Sequence, residues 1–494
     1  MKLIKKRLIW LMLVIGITFG CKKDDGISVA LQNEVNEFVW FAMNGYYYWQ
    51  ADVEDLTIEK YPTYNDLYTF LNRYNQPETL FDDLLHPDDR FSWIVDDYEE
   101  LEQSFQGVTK SFGYNLGLIR IASGSDDLLA YVKYVTAGGP AENAGLSRGD
   151  VFTEVNGQKL TIDNYIPLVF ESENLIITLS EIQDNTISST GQEVSLSAIQ
   201  IAENPILMSE TFEIDGLKVG YLVYNQFVNN EGYHEELNNL FGTFKTQGIN
   251  DLILDLRYNP GGSVDTSVIL ASLIYGNGSS NTVFTTSRYN EELEEALARI
   301  GADLNEYFTD VIPDATTPLN RLNLSRVFIL TSSSTASASE LIISGLDPYL
   351  DVTLIGTTTV GKNLGSTTLY DSPNYRKTPD NSNVNHTDSK YAIQPIISRF
   401  TNVNNIDYGD GFVPDIVVDE VDYLESLPPL GDLNEPLLAE ALAVITGVAR
   451  IERRSNSGME SIQDIRLRKS ISTILIDNKE TLDLIRSQIF SGTQ

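Results

Sequence analysis

The stretch RVFILTSSSTASASELIISGLDPYLDVTLIGTTTVGKNLGS, residues 326–366, decides the reading of this chain. Val327 to Leu330 form a short β-branched and aromatic run, which reads as a strand. From Ala338, apolar residues recur at helical spacing (Ala338, Leu341, Ile342, Leu346), which reads as a helix. Ser337 therefore falls where strand gives way to helix. A second strand, DVTLIGT, follows, and then the loop TTVGKNLGS, which carries Lys362 between glycines. At a helix start the first N–H groups lack intrahelical partners and the dipole is positive, so the Ala338 N–H could hold an oxyanion beside a Ser337 nucleophile. The same residues, Ser337 to Glu340, also spell S-x-x-E, a capping box in which serine and glutamate only satisfy backbone donors.

A serine hydroxyl needs a base, and a lysine serves only where burial or neighbouring positive charge lowers its pKa. The uncharged setting VGKNLG suits that role, although an exposed loop lysine would read the same way. Further toward the N-terminus, DLILDLRYNPGG (251–262) reads as a buried strand ending in Asn-Pro-Gly-Gly, which frees backbone amides at a strand end.

Together DLRYNPGG (255–262), STASASE (334–340) and GTTTVGK (356–362), in this order and behind a PDZ-like segment, resemble the C-terminal processing peptidases, also called tail-specific proteases. The resemblance implies a crotonase-like α/β catalytic core of mostly parallel sheet flanked by helices, with a Ser/Lys dyad. Carried over by position, Ser337 is the nucleophile, Lys362 the general base, and Ala338 with Gly262 the oxyanion amides. Many members place a glutamine four residues after the lysine, where this chain has Ser366. Either Ser366 orients the amine or the base is less well held. No metal or cofactor is implied.

The 494 residues suffice for about two to four domains, and 42% hydrophobic residues allow ordinary cores. A formal net charge of -36 argues against a nucleic-acid partner, whose phosphates would be repelled. Residues 1–21 read as a lipoprotein signal peptide: a basic start (Lys2, Lys5, Lys6, Arg7), an apolar run from Leu8 to Phe19, then Gly20 and Cys21, the one cysteine in the chain. Cys21 resembles the lipidated cysteine of bacterial lipoproteins, and the following KKDD resembles the surface-export signals of some Bacteroidetes lipoproteins. An outer-membrane lipoprotein on the periplasmic or cell-surface side is the expected location.

Residues 28–105 read as a helical domain, with aromatics at helical spacing in VNEFVWFAMNGYYYWQ and YNDLYTFLNRY, and LLHPDDRFSWI as a turn followed by a packed segment. Residues 106–203 resemble a PDZ domain, best in GGPAENAGLSRGDVFTEVNGQKL (138–160), with a hairpin turn at Asn156-Gly157. Such a domain binds a chain end by strand addition. The expected carboxylate loop is Tyr114 to Gly117, with Leu116 and Gly117 receiving the charge, before the strand LIRIA. The expected partners are accordingly protein or peptide substrates with a free C-terminus.

Strands alternating with helices over 208–440 predict the largely parallel sheet, with 279–325 as a surface excursion and YGDGFVPDIVV (408–418) as its closing stretch. Residues 372–390 read as a polar loop holding His386, the base of a competing serine-histidine scheme, and 441–494 as a helical tail. The reading is an exported, lipid-anchored serine endopeptidase. The alternative from another class is a surface peptide-binding or scaffolding protein that keeps the fold and has lost turnover.

Overall fold

The computed structural model describes residues 28–313, 315–377, 389–448, 459–462 and 474–475. The leader, Cys21, the KKDD segment and His386 lie outside the described residues, as does most of the expected tail.

The N-terminal region contains α1 (Glu34–Tyr46), α2 (Tyr64–Leu71), α3 (Pro77–Asp83), β1 (Trp93–Val95) and α4 (Tyr98–Phe105). Each helix start has its sequence cause: Asn33 accepts the Val35 N–H, Thr63 and Asp66 form a reciprocal capping box, and Pro77 occupies the first turn of α3. Their apolar faces (Phe38, Val39, Trp40, Tyr46, Leu67, Phe81) join the same core as the helices of the α/β region described below.

The next region holds β2 (Val108–Ser111), β3 (Tyr114–Arg120), β4 (Leu128–Val135), α5 (Pro140–Asn143), β5 (Val151–Val155), β6 (Gln158–Lys159), β7 (Asn174–Gln183), β8 (Thr186–Ser197) and β9 (Ile199–Ala202). Strands β3, β4, β5, β7 and β8 are neighbours in that order, with a core of Leu118, Ala130, Val132, Phe152 and Ile177. Asn156 and Gly157 take φ of 51° and 71°, the left-handed pair that a tight β5–β6 hairpin requires.

The α/β region opens with β10 (Ile206–Ile214), β11 (Leu217–Tyr224), α6 (Glu231–Gln247), β12 (Asp251–Asp255), β13 (Gly262–Ser263), α7 (Val264–Ile274), β14 (Val283–Tyr289), α8 (Glu291–Ile300) and β15 (Asn305–Tyr307). It continues with β16 (Arg326–Thr331), α9 (Ala338–Leu346), β17 (Asp351–Gly356), β18 (Leu364–Ser366), β19 (Leu369–Tyr370), β20 (Ala392–Gln394), β21 (Ile396–Thr401), β22 (Ile416–Val417) and α10 (Pro436–Thr446). Two short segments, β23 (Glu460–Ser461) and β24 (Ile474–Leu475), follow.

The main sheet runs β10-β11-β12-β16-β17-β22, parallel except for β10. Both faces are covered, as the near-continuous apolar strands require. Leu222, Leu252, Leu254, Val327 and Ile329 face α7 and α9, whereas Tyr221, Ile253, Phe328 and Leu330 face Leu437, Leu438 and Ala441 of α10. A second sheet, β13-β24-β18-β21-β14-β15, stands at the carboxyl ends of the first. Strand β1 pairs with β20, tying the N-terminal region to the α/β one.

Residues 279–325 are not a surface excursion. Strand β14 lies inside the second sheet between β21 and β15, and Phe284 and Phe308 are buried, Phe284 against Gly345 of α9. The alternation of VFTTSRY hides this, because its buried set includes Thr285 and Ser287 as well as Phe284 and Tyr289.

Candidate active site

Three loops at the carboxyl ends of β12, β16 and β17 converge, and the sequence of each explains how it is held. Asn259 of the Asn-Pro-Gly-Gly turn is the hub of the first two. Its side chain donates to Tyr224 O at 2.8 Å and accepts the Gly261 N–H at 2.9 Å, while its carbonyl accepts Ala336 N–H at 3.2 Å and Ser339 Oγ–H at 3.0 Å. Thr335 ties the loops together from the other side, donating through its hydroxyl to Leu256 O at 2.9 Å and accepting Val360 N–H at its carbonyl at 3.0 Å. The small hydroxyl residues of SSSTAS are therefore the fasteners of the turn.

Ser337 closes that turn with φ 64° and ψ -119°, a region costing a non-glycine residue about 1–3 kcal/mol. Its side chain is fully buried, and Oγ makes no hydrogen bond among the described residues. Gly261 lies against it so closely that a Cβ there would sit 2.6 Å from Ser337 Cβ. Ala338 opens α9, leaving its N–H among those without an intrahelical partner. The Gly262 N–H is aimed by its neighbours. Phe227 donates to Gly261 O at 2.9 Å and accepts Ser263 N–H at 2.8 Å, and since alternate residues of a strand present their polar groups to opposite edges, Gly262 N–H faces away from Phe227.

Half of the S-x-x-E reading holds, and the other half gives way to something larger. Glu340 Oε2 accepts the Ser337 N–H at 2.9 Å and the Lys362 N–H at 2.8 Å; Oε1 accepts Gly361 N–H at 2.7 Å and Thr359 Oγ1–H at 2.5 Å. One buried carboxylate thus fixes the backbone of both candidate dyad residues. Burial pushes its pKa up, against the pull of these four donors.

Lys362 is 1% exposed. Gly361 before it takes φ 81°, with a Cβ position only 2.3 Å from Gly409 O, so glycine alone fits the turn that points the lysine inward. Burial lowers the Lys362 pKa to about 7, with Asp89 and Glu340 resisting. Its Nζ lies 4.4 Å from the centre of the Phe91 ring. Asp89 and Phe91 come from LHPDDRFSWI, so the N-terminal region supplies a wall of the site, a role that the sequence reading of that stretch did not assign.

Ser366 is buried, and its Oγ accepts from Gln394 Nε2 at 3.1 Å. A glutamine absent from the expected position thus stands beside Ser366 from β20, a strand that the sequence reading left unrecognised. Leu116 and Gly117 are not in a loop. They belong to β3, opposite Val132 and Tyr131, and Gly117 is required because the Tyr131 ring lies where its Cβ would be. The turn before β3 is at Phe112-Gly113, where Gly113 takes φ 74°. A groove of about 310 Å³ joins this region to the serine loop, with Leu116, Tyr131 and Lys133 on one side and Ser332 and Ser334 on the other.

Residues 218–418 match peptidase family S41, residues 34–93 the S41 N-terminal domain and residues 131–196 a PDZ domain. Residues 218–418, which hold the candidate site, are thus a peptidase family S41 domain. The chain is similar to a CtpA-like serine protease of Staphylococcus epidermidis, 29% identical over 58% of this chain and 49% of the relative, and to one of Staphylococcus aureus strain RF122, 28% identical over the same shares. The chain spans about half the length of these curated relatives. Among solved structures it resembles an S41 protease of Bacteroides fragilis, with a TM-score of 0.64 and 26% identity over 84% of this chain and 98% of that one. Within the S41 match lie Ser337, Lys362, Gly262 and Ala338; Asp89 and Phe91 lie within the N-terminal match.

Proposed function

We propose that the chain is a serine endopeptidase of the C-terminal processing type, acting through Ser337 and Lys362. The observation that carries this reading is a pair of buried groups locked to one carboxylate: a serine hydroxyl at a strained helix start, without a hydrogen bond among the described residues, and a lysine whose pKa burial brings down to about 7. In the proposed step neutral Lys362 Nζ takes the Ser337 Oγ proton as Oγ bonds to the scissile carbonyl carbon. The carbonyl oxygen, now an anion, is received by the Ala338 and Gly262 N–H groups. Collapse of the intermediate breaks the C–N bond, and Lys362 returns the proton to the leaving amine. Water then releases the acyl group by the same route.

The substrates are proposed to be protein or peptide chains with a free C-terminus, laid along β3 of the PDZ region and so tethered near Ser337. The protein is proposed to be exported and anchored in the cell envelope through lipid on Cys21, which supplies the apolar anchor that the short leader does not.

A labelled serine-directed phosphonate tests the chemistry: it should modify Ser337 in the native chain and spare Ser337→Ala. Absence of labelling together with retained peptide binding would favour the non-catalytic, peptide-binding alternative. For the anchor, Cys21→Ser should release the protein from membrane fractions, and unchanged fractionation with an unchanged N-terminal mass would end that part of the proposal.

A further inference from the structure

Two edges of this molecule are built to take an extended peptide, and the chain's own C-terminal segments lie on both. The first is the outer edge of β3. There β23 runs antiparallel, with Glu460 opposite Arg120 and Ser461 opposite Ile119, and Ile462 N–H donates to Leu118 O at 3.0 Å. Ile462 packs on the apolar cluster containing Leu116, Leu118 and Val169, and it also lines the groove that leads to the serine loop. The segment thus advances from Arg120 toward Gly117, along the path proposed above for a substrate tail.

The second edge is the cleft between the two halves of the site. Strand β24 lies between β13 and β18, with Ile474 opposite both Gly262 and Gly365, and Leu475 opposite Ser263 and Ser366. One flank follows Gly261, which touches Ser337; the other begins two residues after Lys362. Phe227 already uses Gly261 O and Ser263 N–H, so the polar groups that Gly262 offers to β24 are its own N–H and C=O. That N–H is the proposed oxyanion donor. A strand seated here and a substrate carbonyl would compete for it.

We propose that residues 459–462 on the edge of β3 and residues 474–475 between β13 and β18 act as intramolecular ligands of those two edges, so that the resting chain is self-occluded until a substrate tail displaces them. The occlusion rests on the peptidase reading of Ser337 and Lys362; the docking does not. A tethered ligand has an effective concentration around the millimolar range, so loosening either anchor should raise the rate at low substrate by roughly tenfold.

The test uses the full chain with Ile462→Asp, which places a charge on the PDZ apolar cluster, and Ile474→Pro, which removes a strand N–H. Amide hydrogen exchange is measured in a Ser337→Ala background, where catalysis plays no part, and hydrolysis of a peptide with a free C-terminus is measured with Ser337 present. Expected are faster exchange over Leu118–Arg120 in the first variant, faster exchange at Gly262 in the second, and about tenfold faster hydrolysis in both. Exchange unchanged in both variants would overturn the docking, whatever the activity. Faster exchange without faster hydrolysis, in a protein that labels with phosphonate, would overturn the occlusion. Ser337-dependent loss of the C-terminal segment on purification, read by intact mass, would also overturn it, making the segment a substrate. If no form labels or hydrolyses, the peptidase reading has failed, and the exchange data alone decide the docking.

Discussion

Among the described residues two cationic centres are buried, and burial has opposite outcomes in them. At the junction of the PDZ region, the main sheet and α10, Arg257 is enclosed by Asp255 at 2.8 Å and by Glu435 through two contacts of 2.5 and 3.0 Å. Arg148 reaches in from the PDZ turn to Glu420 at 3.0 Å and Glu435 at 3.2 Å, and Tyr258 bonds to Glu420 as well. Burial alone would push the Glu420 pKa up, but Arg148 and Arg257 bring it down to about 2; Asp255 and Glu435 likewise outweigh burial at Arg257 and raise its pKa. At the candidate active site Lys362 loses the same solvent, but the nearby carboxylates are committed elsewhere. Asp89 serves Tyr47 Oη and the Phe91 and Ser92 N–H groups, and Glu340 serves four other donors. Desolvation wins, which under the proposed mechanism leaves the amine available as a base near neutral pH. What differs between the two centres is how far neighbouring carboxylates offset burial: they outweigh it at Arg257 and do not at Lys362.

The largest effect expected from this contrast is on turnover. Lys362→Ala and Ser337→Ala should each lower kcat by about a thousandfold or more with the fold retained, measured by peptide hydrolysis and circular dichroism. His386→Ala should leave hydrolysis largely intact. Survival of the Lys362 variant with loss in the His386 variant would refute the lysine as base.

The arginine centre should show the reverse profile, a stability effect first. Glu435→Gln strands Arg257 and Arg148 with one fewer anion and should cost about 3–5 kcal/mol, read from the denaturant midpoint, because breaking one partner leaves uncompensated buried charge. Its pH signature is also defined. The Glu420 pKa is lowered from 4.5 to about 2 in the folded state, so the unfolded chain binds more protons between those values. That contribution is complete above about pH 4.5 and is lost as pH falls through 2. A flat stability profile over this window would show that Glu420 is not held as its contacts indicate.

Lys362 should give a linkage of the same sign on the alkaline side, there through relief of a burial penalty. Its folded pKa is about 7 against 10.5 for an ordinary lysine, so between those values the unfolded chain carries the extra proton and stability rises with pH. Below pH 7 the burial penalty is complete, on the order of 3–5 kcal/mol. Lys362→Met should therefore stabilise the protein by about that amount at pH 6, with the gain shrinking toward pH 10. A gain independent of pH would mean that the methionine only packs better.

How much of this was legible in the sequence depends on whether the signal was local. The strand–turn–helix around Ser337, the Asn156-Gly157 hairpin and the parallel order of the main sheet follow from periodicity and turn chemistry, and the structure has them where the residues say. The pieces that escaped are those made by distant pairing. Strand β14 is half polar and is buried only because β15 and β21 flank it. Gln394 is 28 residues from Ser366 in the chain and touches it through the partnership of separate sheets. The PDZ resemblance puts Leu116 and Gly117 in a carboxylate loop, yet they belong to β3, where this glycine makes room for Tyr131. Glu340 is visible as a capping residue, but nothing local reveals that both of its oxygens also serve the lysine loop.

The smallest expected effect is the most specific test of what tunes the lysine. The Phe91 ring lies over Nζ at 4.4 Å, and the face of an aromatic ring favours a cation by about 0.5–2 kcal/mol. The ring therefore works against the burial that it also helps to provide. Phe91→Leu keeps an apolar wall and removes that preference, so the Lys362 pKa should fall further by about half a unit to one unit. Since the rate is proposed to follow the neutral amine, the acid limb of the kcat/KM profile should move to lower pH, with the plateau unchanged. Asp89→Asn removes an anion that also favours the charged form and should move the limb in the same direction. A shift toward higher pH in the leucine variant would mean that Phe91 acts chiefly by excluding water, and the contrast between the two buried centres would then rest on solvent alone.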